Sequence, residues 1–112
     1  MPDPATFSSY ETFWPLYLSQ HSQRTTRLIH VTGTMLALLA ITHSVLTLTP
    51  GGLIAAPIVG YGFAWIAHAF VEHNHPATFQ YPLWSLRGDF HMLGLWLTGR
   101  LEAELVRQKI LT

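Results

Sequence analysis

The stretch Leu53-Ile54-Ala55-Ala56-Pro57-Ile58-Val59-Gly60-Tyr61-Gly62-Phe63-Ala64-Trp65-Ile66-Ala67-His68-Ala69-Phe70-Val71 runs nineteen residues without a charge. A helix of about 20 mostly apolar residues is long enough to cross a bilayer core. Only Pro57 and His68 interrupt the pattern. Upstream, Val31 to Leu48 is a second uncharged run, eighteen residues long, that contains several threonines, Ser44 and His43. Thr49-Pro50-Gly51-Gly52 separates the two and has the composition of a tight turn. Together they read as an antiparallel helical hairpin in a membrane. Gly33 with Ala37, and Gly60 with Ala64, have the small-xxx-small spacing that lets membrane helices approach closely. The rival reading is a soluble hydrophobic hairpin buried by partner elements.

Composition favours the membrane. Charged residues form 11% of the chain, against about 25% in ordinary soluble domains. Six Lys and Arg balance six Asp and Glu, so no net charge attracts nucleic acid or steers an acidic substrate. Cysteine is absent, which excludes disulfides, thiolate metal sites and a cysteine nucleophile. The 112 residues suffice for one domain, residues 1–112. Met1 to Thr12 has neither the basic nor the apolar region of a signal peptide, so internal segments are expected to carry the chain into the membrane.

The expected fold is all-α: a multi-pass membrane helical bundle built on the hairpin, with flanking interfacial helices. Phe7, Tyr10, Phe13, Trp14, Tyr17 and Leu18 make an aromatic face at helical spacing, suited to the headgroup level, although Pro15 limits its regularity. Leu83 to Leu111 is helical by pattern. Arg87 and Asp89 keep its first part out of a simple span, so it either lies on the surface or enters from Met92 to Thr98. Arg24 and Arg27 precede the first run, Arg87 follows the second, and the intervening turn has no charge. The positive-inside rule puts the arginine-bearing side in the cytoplasm. Short helices in a small chain leave room for a homo-oligomer.

Seven histidines are many for this length, and six fall on that side of the hairpin. His30 begins the first run, His68 lies near the end of the second, and an antiparallel hairpin brings them to one level. His21 lies just upstream, while His73, His75 and His91 lie downstream. His43 belongs near the other end and reads as a helix-packing residue. On one continuous helix, His21 and His30 would face apart. They converge if the chain breaks between them, and Ser22, Thr25 and Thr26 offer N-cap chemistry for a new helix. Tyr61, Ala64, Trp65, His68 and Glu72 share a face. Imidazole is the commonest neutral metal ligand, and a carboxylate can join it or orient it. His21, His30 and His68 are therefore candidate ligands, with helix packing as the alternative use of the same rings. His73 and His75 read as solvated, and His91 diverges from Asp89 on a helix. Arg27 lies one turn before His30, where it could hold a carboxylate substrate, or serve only to set topology. Glu72 at a helix C-terminus opposes the dipole, which argues for a positive partner.

No phosphate-binding glycine loop, G-x-S-x-G elbow, H-E-x-x-H motif or desaturase-type histidine box is present. Three longer signatures are. The first is Tyr17-Leu18-Ser19-Gln20-His21 followed by Arg27-Leu28-Ile29-His30 and Gly33. The second is Gly60-Tyr61-Gly62-Phe63-Ala64-Trp65-Ile66-Ala67-His68, continuing through Glu72-His73-Asn74-His75-Pro76-Ala77-Thr78-Phe79. The third is Tyr81-Pro82-Leu83-Trp84-Ser85-Leu86-Arg87-Gly88-Asp89-Phe90. From Tyr17 to Met92 the chain resembles the yeast-type 2-hydroxy fatty acid dioxygenase family.

That resemblance implies a multi-pass membrane enzyme of fatty acid alpha-oxidation, which in yeast serves phytosphingosine breakdown. It implies Fe(II) as cofactor, O2 and a 2-hydroxy fatty acid as substrates, and products one carbon shorter plus carbon dioxide. The expected membrane is the endoplasmic reticulum in a eukaryote and the inner membrane in a bacterium. The metal ligands carry over to His21, His30 and His68, with Glu72 as fourth ligand or nearby base. Asp89 would be an outer partner of the metal site, with Ser85 one turn before it. His73, His75 and His91 stand where the family more often has Lys or Arg, and Ala67 where Gly is common. This leaves Arg27 and Arg87 to anchor the carboxylate. An alkyl tail would lie in the bilayer or between helices, beside Tyr61, Trp65 and Trp96. Two rivals remain: a membrane-embedded Zn(II) hydrolase on the same histidines, and a non-enzymatic scaffold or lipid-binding protein.

Overall fold

A computed structural model describes residues 7–76 and 80–111; Ala77, Thr78 and Phe79 of the second signature lie outside them. The described residues form five α-helices and no strand: α1 (Tyr10–Ser19), α2 (Arg24–Thr47), α3 (Gly51–Ala67), α4 (Pro82–Leu97) and α5 (Leu101–Arg107). A π-turn, His68–Glu72, extends α3.

Among the described residues, two helices are long and apolar enough to cross a membrane: α2, and α3 together with its π-turn, each with a mean hydropathy of 1.6. They lie side by side, and their contacts run in opposite directions along the chain. Gly33 sits against Phe63, Gly60 against Ala37, and Gly52 against Ala40 and Ser44. A Cβ on Gly33 would come within 2.5 Å of the Phe63 Cβ, so glycine sets this close approach. Leu48, in the left-handed conformation at φ 55°, ends α2. The Ser44 hydroxyl donates to the Thr49 carbonyl and accepts from the Leu53 N–H at 3.2 Å, which ties the connection to both helices. Leu39, Val45, Leu46, Ile54 and Ile58 face outward.

The buried hydrophobic cluster lies elsewhere. Tyr10, Phe13, Trp14, Tyr17 and Leu18 of α1 are buried with Val31 of α2, Met92 and Leu93 of α4, and Leu101 and Leu105 of α5. The aromatic face of α1, expected at the membrane interface, thus forms the protein core. Helical periodicity identifies an apolar face but not what covers it, and here the cover is α4 and α5. Pro15 is accommodated within α1, which is capped by Ser9, whose Oγ accepts from the Thr12 N–H at 3.3 Å. The continuous helix expected from Leu83 to Leu111 is broken at Thr98-Gly99-Arg100, where Gly99 adopts φ +71°. That break folds α5 back so that Leu105 packs in the core. His43 is exposed on α2, so its side chain does not have the packing role expected of it.

Candidate metal centre

The break expected between His21 and His30 is present: α1 ends at Ser19 and α2 begins at Arg24. Its capping differs from expectation. Gln23 is the N-cap of α2 and makes no side-chain cap bond. The Glu72 carboxylate accepts from the Gln23 backbone N–H and, at 2.9 Å, from the Ser22 hydroxyl. The positive partner sought for Glu72 is therefore the N-terminus of α2, where a carboxylate complements the helix dipole. Arg27 is buried and donates from Nη1 to the carbonyls of His21 and Ser22, each at 2.9 Å. It fixes the turn that carries His21.

His21, His30 and His68 are buried together, and one nitrogen from each ring lies within 4.8 Å of one from each of the others. His21 and His68 meet edge to face at 4.6 Å between ring centroids. Every ring also has a nitrogen held by an oxygen acceptor. His21 Nδ1 lies 2.7 Å from the Tyr17 carbonyl. His30 Nε2 lies 2.8 Å from Asp89 Oδ1. His68 Nδ1 lies 2.7 Å from Asn74 Oδ1. A carbonyl or carboxylate only accepts, so each of these nitrogens carries the proton and the other ring nitrogen presents a lone pair.

Two of those lone pairs, on His21 Nε2 and His30 Nδ1, face each other at 2.9 Å. Only a cation between them relieves that arrangement. Burial, followed by the neighbouring His30 and His68, pushes the His21 pKa well below its ordinary value, so His21 itself is a poor holder of a second proton; a metal ion or a proton on the facing ring would relieve the contact. Neutral imidazoles without thiolates suit a borderline divalent metal such as zinc, copper, iron or nickel. Holding the outer nitrogen of each ring on an oxygen is the usual way that metal-binding histidines are oriented. The three residues thus fit a metal ion.

The supports come from three places. Tyr17 stacks on His21 at 4.4 Å and donates its hydroxyl to Asp89 Oδ1 at 2.6 Å. A Cβ on Gly88 would lie 2.9 Å from the Tyr17 ring, so glycine lets α4 approach α1 closely enough for that bond. On the α3 side, the π-turn ends at His73, left-handed at φ 60°. The chain turns back there, and the Asn74 N–H donates to the His68 carbonyl at 2.9 Å. The Asn74 amide also donates to the Gln20 carbonyl at 3.2 Å, which aims its oxygen at the ring. Tyr17 and Asn74 were missed as site residues by sequence reasoning. Both stand inside the quoted signatures, but Tyr17 read otherwise as part of an aromatic face, and Asn74 as a polar residue between two histidines.

Other sequence candidates fall outside the cluster. Glu72 is engaged at the start of α2. Arg87 lies over the Tyr10 ring, 4.0 Å from its centroid, on a different face of α4 from Asp89. His91 stacks on Trp14 at 3.8 Å and bonds the Tyr10 hydroxyl at 2.9 Å. His73 and His75 are exposed, as the solvated reading expects. Ser85 is buried on α4. Tyr61 and Trp65 form a ring pair at 5.8 Å. Tyr61, but neither Trp65 nor Trp96, lines an apolar groove of about 340 Å³ between α2, α3 and α4.

A buried set of three histidines, oriented by oxygen acceptors on a helical chain with two membrane-length helices, defines a candidate helical metalloprotein. The chain belongs to the Mpo1-like family: the family model described as 2-hydroxy-palmitic acid dioxygenase Mpo1-like matches residues 7–101. The match includes all three histidines, Tyr17, Asn74 and Asp89. No curated protein and no solved structure matches this chain.

Proposed function

We propose that this chain is a single-domain integral membrane dioxygenase that uses Fe(II) and O2 to convert 2-hydroxy fatty acids to fatty acids one carbon shorter and carbon dioxide. The observation that carries the reading is the set of three inward-facing imidazole nitrogens, each fixed from behind by an oxygen acceptor. The family match supplies the reaction class. Iron held by these nitrogens would supply redox chemistry to a 2-hydroxy acid able to chelate it through hydroxyl and carboxylate.

The protein's own residues have distinct tasks. Asp89 keeps His30 in the tautomer whose Nδ1 lone pair points inward, and Tyr17 holds Asp89 in place. Burial first, and the nearby Asp89 second, raise the Tyr17 pKa well above its ordinary value, so its hydroxyl remains a donor. Asn74 performs for His68 what Asp89 performs for His30. Arg27 secures the carbonyl of His21, and is a positioning residue in this scheme. With α2 and α3 crossing the bilayer, Arg24 and Arg27 set the histidine end on the cytoplasmic face.

Metal analysis of detergent-purified protein, followed by incubation with Fe(II) and 2-hydroxypalmitate under air and under argon, tests this directly. Stoichiometric iron binding and an oxygen-dependent product one carbon shorter are expected. Replacing His21, His30 or His68 with Ala should abolish metal retention, whereas His43→Ala should not. Turnover that persists without oxygen, or metal content unchanged in the His30→Ala protein, overturns the reading.

A further inference from the structure

At one end, the apolar groove between α2, α3 and α4 is lined by two residues bonded to His30, though by none of the three histidines themselves. Thr34 and Asp89 both line it. Asp89 holds His30 Nε2, and the Thr34 hydroxyl donates to the His30 carbonyl at 3.1 Å. Thr34, Asp89 and Tyr61 are its only polar lining residues among the described ones, and all belong to the histidine end. Its far end is marked by Ile41 on α2 and Leu53 on α3. Ala37, Ala56 and Gly60 form its floor, where a Cβ on Gly60 would touch Ala37 at 3.5 Å. The floor is thus closed, while Leu53, Leu86 and Phe90 are exposed along the rim. The groove opens sideways, toward lipid.

We infer that this groove is an acyl track: it takes one straight alkyl chain by its first eight to ten carbons or so and leaves the rest in the bilayer. The inference rests on the dioxygenase reading for the chemistry of the head, and on the groove itself for the tail. Thr34 to Ile41, and Leu53 to Tyr61, each extend about 10 to 12 Å at a rise of ~1.5 Å per residue. An extended alkyl chain advances about 1.25 Å per carbon, given its C–C bond of ~1.5 Å, so the track ends near the tenth carbon. Lipid tails are as apolar as the groove, so carbons beyond that point gain nothing by entering it. The track therefore selects on width near the head and ignores overall length. The occupant is the tail of the acid whose head reaches the histidines, since the groove's polar end is lined by Asp89, which holds His30.

Photolabelling of the full chain in phosphatidylcholine vesicles tests this with a readout independent of turnover. The probes are 2-hydroxy fatty acids with a diazirine either about seven carbons from the carboxylate or at the chain end. The near-head probe should label the Ala37, Ala56 and Gly60 region and be displaced by 2-hydroxypalmitate; the chain-end probe should label chiefly lipid. Ala37→Phe should cut the near-head labelling about tenfold or more, and Leu39→Phe, on the exposed side of the same helix, should not. A substrate arm needs no variant: a methyl branch near the head should lower kcat/KM about tenfold or more, and one at the chain end should not. Equal labelling from both probe positions, or labelling that free 2-hydroxypalmitate does not displace, overturns the track; the latter would assign the groove to a phospholipid tail. Oxygen-dependent turnover with labelling outside the groove sinks the track and leaves the dioxygenase. Groove labelling without such turnover does the reverse.

Discussion

His30 Nε2 lies 2.8 Å from Asp89 Oδ1, and the Tyr17 hydroxyl reaches the same oxygen at 2.6 Å. One carboxylate oxygen therefore joins α1, α2 and α4 at the histidine cluster. Removing a carboxylate that orients a metal-binding histidine typically costs 10- to 100-fold in metal affinity. Asp89→Asn is expected to weaken metal binding by about that factor, and Tyr17→Phe by less, as read by competition with a chelator. Unaltered affinity in Asp89→Asn would separate Asp89 from the site.

Glu72 should behave differently. Both its oxygens are engaged at the start of α2, so Glu72→Ala should cost about 1 kcal/mol, the usual value of a lost cap. Metal content should stay the same. Thermal unfolding alongside metal analysis checks this; loss of metal with the helical signal intact would return Glu72 to coordination.

Two glycines on α4 should respond in opposite directions. Gly88→Ala presses a methyl group against the Tyr17 ring at 2.9 Å and should destabilise by about 1 to 3 kcal/mol, as overpacking does. Gly94 has open space where its Cβ would be. Gly94→Ala should stabilise by up to about 1 kcal/mol through helix propensity. Denaturation of the two variants side by side measures the contrast.

The docking of α5 should be sensitive to acid. Glu104 accepts from Arg107 Nε at 2.7 Å and from Trp14 Nε1 at 2.7 Å. Hydrogen bonds from Arg107, more than that from Trp14, hold its pKa down to about 2, against an ordinary 4.5. As pH falls, the unfolded chain takes up this proton first. The contribution to stability is complete above about pH 4.5 and is lost on the way down to about 2. Glu104→Gln should flatten that part of the pH profile of thermal stability; an unchanged profile would count against the link.

The two long helices were legible because their uncharged runs are unbroken and the polar turn between them is short. The three histidines were legible because the fold reduces to two facing runs, and spacing from the turn sets the level of each ring. What encloses the site was not. Tyr17 reaches Asp89 across 72 residues, and nothing local at either position marks the other. Asn74 meets His68 because the helix loosens into a π-turn and then reverses at His73, a change that apolar periodicity does not record. Glu72 was expected beside the metal and instead bonds the start of α2, since a carboxylate beside a histidine looks the same in sequence whether it meets a metal or a helix start. The α1 aromatics show the same ambiguity: a headgroup anchor and a core face have one pattern.

His21 sits on a turn, His30 on α2 and His68 at the head of a π-turn, so no two of these rings share a helix. Until those segments meet, these three ring nitrogens are not held within reach of one ion. Loose redox-active metal in a membrane attacks unsaturated lipids. Under the proposed function, dividing the ligands among three segments means that the three-histidine site exists only after the helices have come together, which makes finished assembly the safeguard against stray oxidation.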